Sequence, residues 1–262
     1  KLMRHSAKVA SQAHIQAMVN TRPGVGEWQL EAIIEGVFKY CKTSGIAYPC
    51  IIGSGDNATV LHYTVNNDTC EDGEILLIDA GCEYKGYASD ITRSWPVNGK
   101  FSEAQAEIYQ IVLDSQLAAI DECRVGRPYD APHQAARRVL AEGLIKLGVT
   151  KQTLEESLVP ESGDLSKWYM HNTGHWIGLD VHDVGVYRPD GEARVFEEGM
   201  VITVEPGLYF GAWRPDVDCP ARYANIGIRI EDDVLVTRDD PDVLSSDCPK
   251  TIANIESLVG TA

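Results

Sequence analysis

Three acidic residues of this sequence each come directly after a run of apolar, strand-forming residues. Asp79 closes EILLI, Glu205 follows MVITV, and Glu231 follows IGIRI. A carboxylate at the end of a buried strand is costly unless it has a partner. A single such acid is usual at a turn, but three of them need a common explanation. A shared metal centre is the simplest one.

A fourth acid and a group of histidines could complete such a centre. Asp90 lies in the strand-like segment after Asp79, and acids on consecutive short strands can project toward one point. One of the two could then chelate a cation while the other bridges two cations. His175 stands among glycines in HNTGHWIGLDVH, which also contains His171 and His182. A lone histidine is more often packed than ligating, but three of them so close together indicate a site.

Four carboxylates and one imidazole form a hard, oxygen-rich set of ligands. Such a set favours manganese, with cobalt, magnesium or catalytic zinc left open, over the sulfur-rich chemistry of structural zinc sites. Four carboxylates balance the charge of two divalent ions. Two ions about 3.5–4 Å apart can bridge a water, lower the pKa of that water and stabilise an oxyanion. These residues therefore predict a hydrolytic centre with two divalent ions.

The composition argues against several other classes of protein. The net charge is −16, and phosphate binding needs clustered cations, so neither nucleic acid nor a membrane is expected as a partner. The 7 cysteines form no CxxC pair, which disfavours a disulfide framework and favours a reducing cytoplasm. No apolar run reaches the roughly 18 residues of a membrane span, and no signal-peptide core opens the chain.

The order of predicted elements repeats along the chain. Helices are expected over 5–20 and 27–42, and they are followed by four β-rich segments: YPCIIGSG, VLHYTV, EILLIDAGCEY and DITRSWPV. Ser102, with Gln105 three residues on, is then expected to cap a helix that ends near 125–126. Asp130 is expected to cap another helix that stops at Gly148.

Strand-like sequence segments appear again after residues 150–168, to which no secondary structure is assigned. The segments concerned are YMHNTGHWIGL, GMVITVEPGLYF and IGIRIEDDVLVT. Two helices followed by strands, twice over, predict a duplicated α+β unit folded as one domain over residues 1–262.

At this point the sequence resembles the aminopeptidase P and prolidase group. Five segments carry the resemblance, from about Met3 to Thr237: SGDNATVLHY, LLIDAGCEYKGYASDITRSWPV, GHWIGLDVHDVG, EEGMVITVEPGLY and GIRIEDDVLVT. DAGCEYKGYASDITR, GLDVHDVG and EPGLYF are most similar to bacterial-type aminopeptidase P and its mitochondrial relatives, so a mitochondrial location stays open. The resemblance implies the pita-bread fold, an α+β fold with two halves related by pseudo-two-fold symmetry.

The resemblance assigns the metal ligands as Asp79, Asp90, His175, Glu205 and Glu231. It implies that Asp90 and Glu231 bridge both ions and that Asp79 completes the shell of one ion. His175 and Glu205 complete the shell of the other ion. A bridging hydroxide would attack the carbonyl of the bond before proline, with Glu205 as the proton acceptor.

The resemblance also implies roles for three histidines and one arginine near the ligands. His182 is expected to contact the peptide and stabilise the tetrahedral intermediate, His62 to lie beside the substrate, and His171 to lie near the proline-side carbonyl. Arg229 is expected to orient the acidic ligands. His62 could instead be a packed strand residue without a functional role. Arg229 could instead form an ordinary ion pair.

Four further residues are weaker candidates or are assigned no role. Tyr209 is a candidate for the substrate pocket, although packing is the more usual role of such a residue. The histidines on predicted helices are assigned no role: His5, His14 and His133.

The implied activity is removal of an amino-terminal residue that precedes proline. A prolidase, which cleaves Xaa-Pro dipeptides, would use the same ligands and remains an alternative. The context GHWIGLDVHDVG disfavours methionine aminopeptidase. A non-catalytic peptide-binding module, or a metal-independent hydrolase of the creatinase type, would have lost ligand positions that this chain keeps.

The chain departs from the group in one respect. Members of the group carry an amino-terminal domain before the catalytic unit, and no part of residues 1–262 corresponds to it. In the oligomers of the group, neighbouring subunits contribute that domain to the wall of the active site. A homo-oligomer and the selectivity for peptide length are therefore left open.

Overall fold

The computed structural model describes residues 1–262, and its first half opens with a pair of helices. Helix α1 spans Leu2–Asn20 and helix α2 spans Glu27–Tyr40. The face that α1 buries is formed largely by small side chains, which allow close approach of neighbouring elements: Ala7, Ala10, Ala13 and Ala17. The prediction of both helices is confirmed.

Six short strands follow the first helix pair. Their bounds are β1 (Gly45–Ile46), β2 (Ile51–Ser54), β3 (Ile75–Asp79), β4 (Cys82–Tyr84), β5 (Tyr87–Ala88) and β6 (Thr92–Pro96). Strands β2, β3 and β6 form an antiparallel sheet in which every residue is buried. Its register places Asp79 between Ile51 and Thr92. Burial on both faces explains why β3, the central strand, reads as a continuous apolar run.

The second half repeats the arrangement with helices α3 (Glu103–Asp121) and α4 (Ala131–Lys146). The predicted cap of α3 is confirmed, because Ser102 N donates to Gln105 Oε1 at 2.9 Å and Gln105 N donates to Ser102 Oγ at 3.3 Å. Two details of the prediction are wrong. Helix α3 ends at Asp121, and Asp130 makes no capping bond at the start of α4 because its carboxylate pairs with Arg188 instead.

Five strands and two short helices complete the second half. They are α5 (Leu154–Ser157), β7 (Val201–Val204), β8 (Gly207–Tyr209), β9 (Gly227–Arg229), β10 (Asp232–Leu235), β11 (Asp242–Val243) and α6 (Ile252–Glu256). Strands β7, β10 and β11 form one antiparallel sheet, and β8 pairs with β9. The predicted α+β class is confirmed.

Two segments with strand-like sequence do not form strands. VLHYTV follows a 3-10 turn, Gly55–Thr59, and YMHNTGHWIGL makes only one isolated bridge, from Trp176 to Ile202. In the first region, side chains and not a partner strand bond the free edge of β2. Ile52 N donates to Asn66 Oδ1 at 3.0 Å, and Ser54 N donates to Glu27 Oε1 at 2.9 Å. Side chains therefore satisfy polar groups that a ladder would otherwise pair.

One cluster of 40 buried side chains connects the two halves. It includes Ile34 of α2, Leu76 of β3, Ile108 of α3 and Ile228 of β9. None of the helices combines the length and the apolar character that crossing a bilayer requires. β3 and β9 pack in this shared core, whereas Ile202 and Val204 of β7 belong to a second cluster of 10 buried residues. Three of the candidate ligands lie at or beside the ends of these strands.

Candidate metal centre

The two halves bring the five predicted ligands to a single cavity of about 560 Å³. Its lining includes all of them: Asp79, Asp90, His175, Glu205 and Glu231. Asp79 ends β3 and Glu205 directly follows β7, while Glu231 lies between β9 and β10. Glu231 N donates to Thr92 O at 3.1 Å, so the backbones of the two halves are hydrogen-bonded at the centre.

Three of these side chains approach one another closely. Ligand atoms of Asp90, His175 and Glu231 all lie within 4.8 Å of one another, a spacing that a metal ion could fill. His175 Nε2 is 3.4 Å from Asp90 Oδ2 and 3.6 Å from Glu205 Oε1. His175 Nδ1 bonds the Trp176 carbonyl oxygen at 3.0 Å, which directs Nε2 toward the acids.

A glycine allows the histidine segment to approach β7. A Cβ atom at Gly174 would lie 1.9 Å from the Thr203 carbonyl oxygen. His175 N donates to Thr203 Oγ1 at 3.1 Å, and Thr203 Oγ1 lies 3.3 Å from Glu205 Oε1. The glycine-containing sequence around His175 is therefore required for close backbone packing.

The electrostatics of the cluster indicate a deficit of positive charge. Burial and the charge of Asp90 raise the pKa of Asp79 to about 6. Burial raises the pKa of Glu205 to about 7 and, with repulsion from Asp90 and Glu205, raises the pKa of Glu231 well above its ordinary value. Although burial opposes the change, Asp90 raises the pKa of His175 to about 9. Divalent cations would supply the missing charge, and the donor set fits them.

Arg229 contacts the acidic cluster from behind. Its Nη2 donates to Asp79 Oδ2 at 2.6 Å, and its Nε donates to Thr92 Oγ1 at 3.0 Å. Thr92 in turn donates to Glu231 Oε2 at 2.6 Å. The guanidinium thus holds one candidate ligand directly and another through a threonine, an arrangement suited to orienting ligands.

Tyr209 and His171 extend this hydrogen-bond chain. Arg229 Nη1 donates to Tyr209 Oη at 3.1 Å, and Tyr209 Oη is 2.8 Å from His171 Nε2. The other ring nitrogen of His171 is 2.7 Å from the Asn172 carbonyl oxygen. Burial lowers the pKa of His171 to about 3, so the ring is neutral. His171 lines the cavity, whereas Tyr209 lies behind it.

The other predicted histidines lie at different distances from the ligands. The His182 ring is 4.4 Å from the His175 ring and nearly perpendicular to it, and burial lowers the pKa of His182. His62 lines the cavity from the segment after the Gly55–Thr59 turn. His133, to which the sequence assigned no role, also lines the cavity.

Sequence reasoning also missed Tyr48, which contacts two of the candidate ligands. Tyr48 Oη lies 2.6 Å from Asp79 Oδ1 and 2.5 Å from Asp90 Oδ1. A phenol has one proton to donate, so Tyr48 can donate to only one of the two carboxyl groups at a time. No sequence pattern around Tyr48 indicates this contact, because the two acids follow it by 31 and 42 positions.

Comparisons with known proteins identify the family of this chain. The model of metallopeptidase family M24 matches residues 1–238. Xaa-Pro aminopeptidase of Escherichia coli is 43% identical over 261 residues, which cover 100% of this chain and 58% of that protein.

Solved structures show the same similarity. Aminopeptidase PepP of Pseudomonas aeruginosa has a TM-score of 0.94 and 46% identity over 98% of this chain and 57% of that one. A variant of Escherichia coli aminopeptidase P in complex with substrate has a TM-score of 0.92 and 43% identity, with the same two coverages of 98% and 57%. The chain thus spans less than two thirds of these relatives. The predicted pita-bread fold is confirmed, and the chain belongs to metallopeptidase family M24.

Proposed function

We propose that residues 1–262 form the catalytic domain of an Xaa-Pro aminopeptidase that uses two divalent ions, with manganese as the first candidate. The observation that carries the proposal is the convergence of four carboxylates, three of them buried, and His175 in one cavity with too little positive charge. The similarity to Xaa-Pro aminopeptidase of Escherichia coli, with 43% identity over the whole chain, supports the choice of substrate.

The five candidate ligands would hold the two ions together. Asp90 and Glu231 come from different halves of the fold, and their ligand atoms lie within 4.8 Å of each other and of His175. Asp79 lies on the Arg229 side, whereas His175 and Glu205 lie together on the other side. When bound, the two ions supply a water of lowered pKa and Lewis acidity at the substrate carbonyl.

The protein side chains would then handle the protons and orient the substrate. Glu205, whose carboxylate lies beside His175 in the cavity, would accept a proton from the attacking water and return it to the proline nitrogen. His182, next to His175, would donate to the carbonyl oxygen as negative charge develops on it. His62 and His171 would hold the peptide on either side of that bond.

Hydrolysis of short proline peptides tests this proposal. We expect the manganese-loaded chain to release arginine from Arg-Pro-Pro, to lose that activity with a chelator, and to recover it when manganese is added. Ala-Pro serves as the comparison, because a prolidase would prefer the dipeptide. Activity that is indifferent to chelation would contradict the metal mechanism, and hydrolysis of Ala-Pro alone would favour the prolidase alternative.

A further inference from the structure

The cavity extends beyond the five candidate ligands. Its outer part is lined by the segment before α4, the first turn of α4 and the segment before the 3-10 turn Pro189–Gly191. The residues concerned are Tyr129, Asp130, Pro132, His133, Tyr187 and Arg188. Arg188 Nη2 is paired with Asp130 Oδ2 at 3.3 Å, so their charges largely cancel. His133 is the remaining strongly polar side chain in this part.

A chain of hydrogen bonds fixes the proton on His133. Tyr169 Oη is 2.5 Å from Thr173 Oγ1, and Thr173 Oγ1 is 2.9 Å from His133 Nδ1. The Tyr169 hydroxyl is buried and has no other partner, so its proton must go to Thr173. Thr173 then donates to His133 Nδ1, which leaves the imidazole hydrogen on Nε2.

Nothing in the protein accepts that hydrogen. His133 Nδ1 makes the only hydrogen bond of this side chain. Burial lowers the pKa of His133 to about 4, so the ring is neutral near pH 7 and offers a single donor. A neutral donor facing a cavity recognises an acceptor oxygen, such as that of a carbonyl or carboxylate group.

The hydrogen-bonded chain from Tyr169 through Thr173 to His133 contacts residues of the candidate catalytic site. Glu205 N donates to Thr173 O at 2.7 Å. Thr173, which orients His133, is therefore hydrogen-bonded to Glu205, the candidate proton acceptor. The Tyr169 ring lies 4.9 Å from the His171 ring and 5.8 Å from the His133 ring. An aminopeptidase holds the first two residues of its substrate at the ions, so later residues must occupy the remaining cavity.

We propose that His133 is a substrate-binding residue whose Nε2–H donates to a backbone oxygen of the peptide residue that follows proline. This inference rests on the proposed aminopeptidase function and names the group that recognises a third residue. The contact forms equally in the bound substrate and in the transition state, because that residue takes no part in the reaction. It should therefore lower KM without raising kcat.

Two substitutions separate the donor from the packing of His133. His133→Asn keeps a polar atom near the position of Nδ1 for Thr173 but removes the donor at the position of Nε2. His133→Gln reaches the Nε2 position with an amide donor. His5→Gln, on the exposed face of α1, is the control. The substrates are Arg-Pro-Pro and Arg-Pro-amide, which share their first two residues, and only Arg-Pro-Pro has a residue after proline.

We expect His133→Asn to raise KM for Arg-Pro-Pro about 3- to 10-fold, the range of one net hydrogen bond, with kcat unchanged. KM for Arg-Pro-amide should stay within about twofold, and His133→Gln should recover most of the loss. An equal rise of KM for both substrates, or no rise for either, would overturn the inference while leaving the aminopeptidase function intact. Failure of the unaltered chain to hydrolyse either peptide would overturn both.

Discussion

Two adjacent buried acids of this protein, Glu231 and Asp232, have opposite surroundings. The Asp232 carboxylate is paired with Arg93 Nη2 and Lys250 Nζ, each at 2.7 Å. Although burial opposes them, these cations lower the pKa of Asp232 to about 2. The Glu231 carboxylate accepts a hydrogen bond only from Thr92, and burial raises its pKa well above the ordinary value.

The difference shows that two adjacent residues can have separate roles, one in a structural ion-pair cluster and the other in a candidate metal site. Successive side chains of an extended segment point to opposite faces. On one face the chain supplies its own cations and closes a fully paired cluster that also includes Gln116 and Ser245. On the other face, four acids share only Arg229 and His175 as cationic partners. Buried carboxylates that lack cationic partners in the protein can be neutralised by a bound cation.

Substitution of Glu231 should have the largest effect on activity. Glu231→Gln removes a candidate bridging ligand, so we expect hydrolysis of Arg-Pro-Pro to fall by about 10³-fold or more and at least one bound ion to be lost. The free energy of unfolding of the metal-free protein should not fall, because an uncompensated carboxylate is removed. Steady-state kinetics, metal analysis and urea unfolding in chelator measure the three quantities. Near-normal turnover would contradict the ligand assignment.

Substitution of the neighbouring acid should have the opposite profile. Asp232→Asn leaves Arg93 buried without its counter-charge, and breaking a buried pair costs about 3–5 kcal/mol of unfolding free energy. The decrease should be the same with and without chelator. A loss of bound metal at unchanged stability would show that the two clusters are not separate.

The buried His14 and the half-buried His175 extend the comparison to pH dependence. His14 Nε2 is hydrogen-bonded to the Ala80 carbonyl oxygen, whereas His14 Nδ1 has no hydrogen-bond partner. Burial lowers the pKa of His14 to about 4, while the neighbouring Asp90 raises the pKa of His175 to about 9. The unfolded chain binds a proton at His14 near pH 6.5, but the native chain does so only near pH 4. The contribution of His14 to stability is therefore full above pH 6.5 and is lost as the pH falls toward 4.

Removal of the imidazole should flatten that part of the pH profile. In His14→Gln, the fall in unfolding free energy between pH 6.5 and 4 should be smaller by up to about 3 kcal/mol, since one pKa unit corresponds to about 1.4 kcal/mol. His5→Gln is the exposed control. Parallel profiles for the two variants would argue against a neutral, buried His14.

Substitution of His182 should lower turnover without disrupting the Glu231 or the Asp232 cluster. Its ring lies beside His175, and it is not a candidate ligand. His182→Ala should lower kcat about 10²-fold with little change in bound metal or in stability, because a donor to developing charge is lost. A loss of metal equal to that of Glu231→Gln would instead place His182 among the ligands.

The sequence was sufficient for features that depend on local pattern. Asp79, Glu205 and Glu231 could be found because each ends an apolar run that forms or adjoins a buried strand. The capping pair of Ser102 and Gln105 lies within one helical turn, so its geometry is also local.

Features that depend on long-range contacts could not be predicted. Tyr48 contacts two acids, and His133 meets Thr173 40 positions away, with no pattern connecting them. VLHYTV reads as a strand, but the edge of β2 is bonded by the side chains of Asn66 and Glu27 instead. Such partners are determined by the packing of the two halves and not by neighbouring residues.

Counting the manganese ions that the chelator-treated chain binds tests the central claim most directly. Calorimetric titration with Mn²⁺, checked by elemental analysis, should give two ions per chain for the unaltered protein and for Asp232→Asn wherever that variant is folded. Glu231→Gln should bind fewer. If the unaltered folded chain binds no manganese, or if Glu231→Gln binds as many ions as the unaltered chain does, the acids of the two halves do not form a site for a pair of cations.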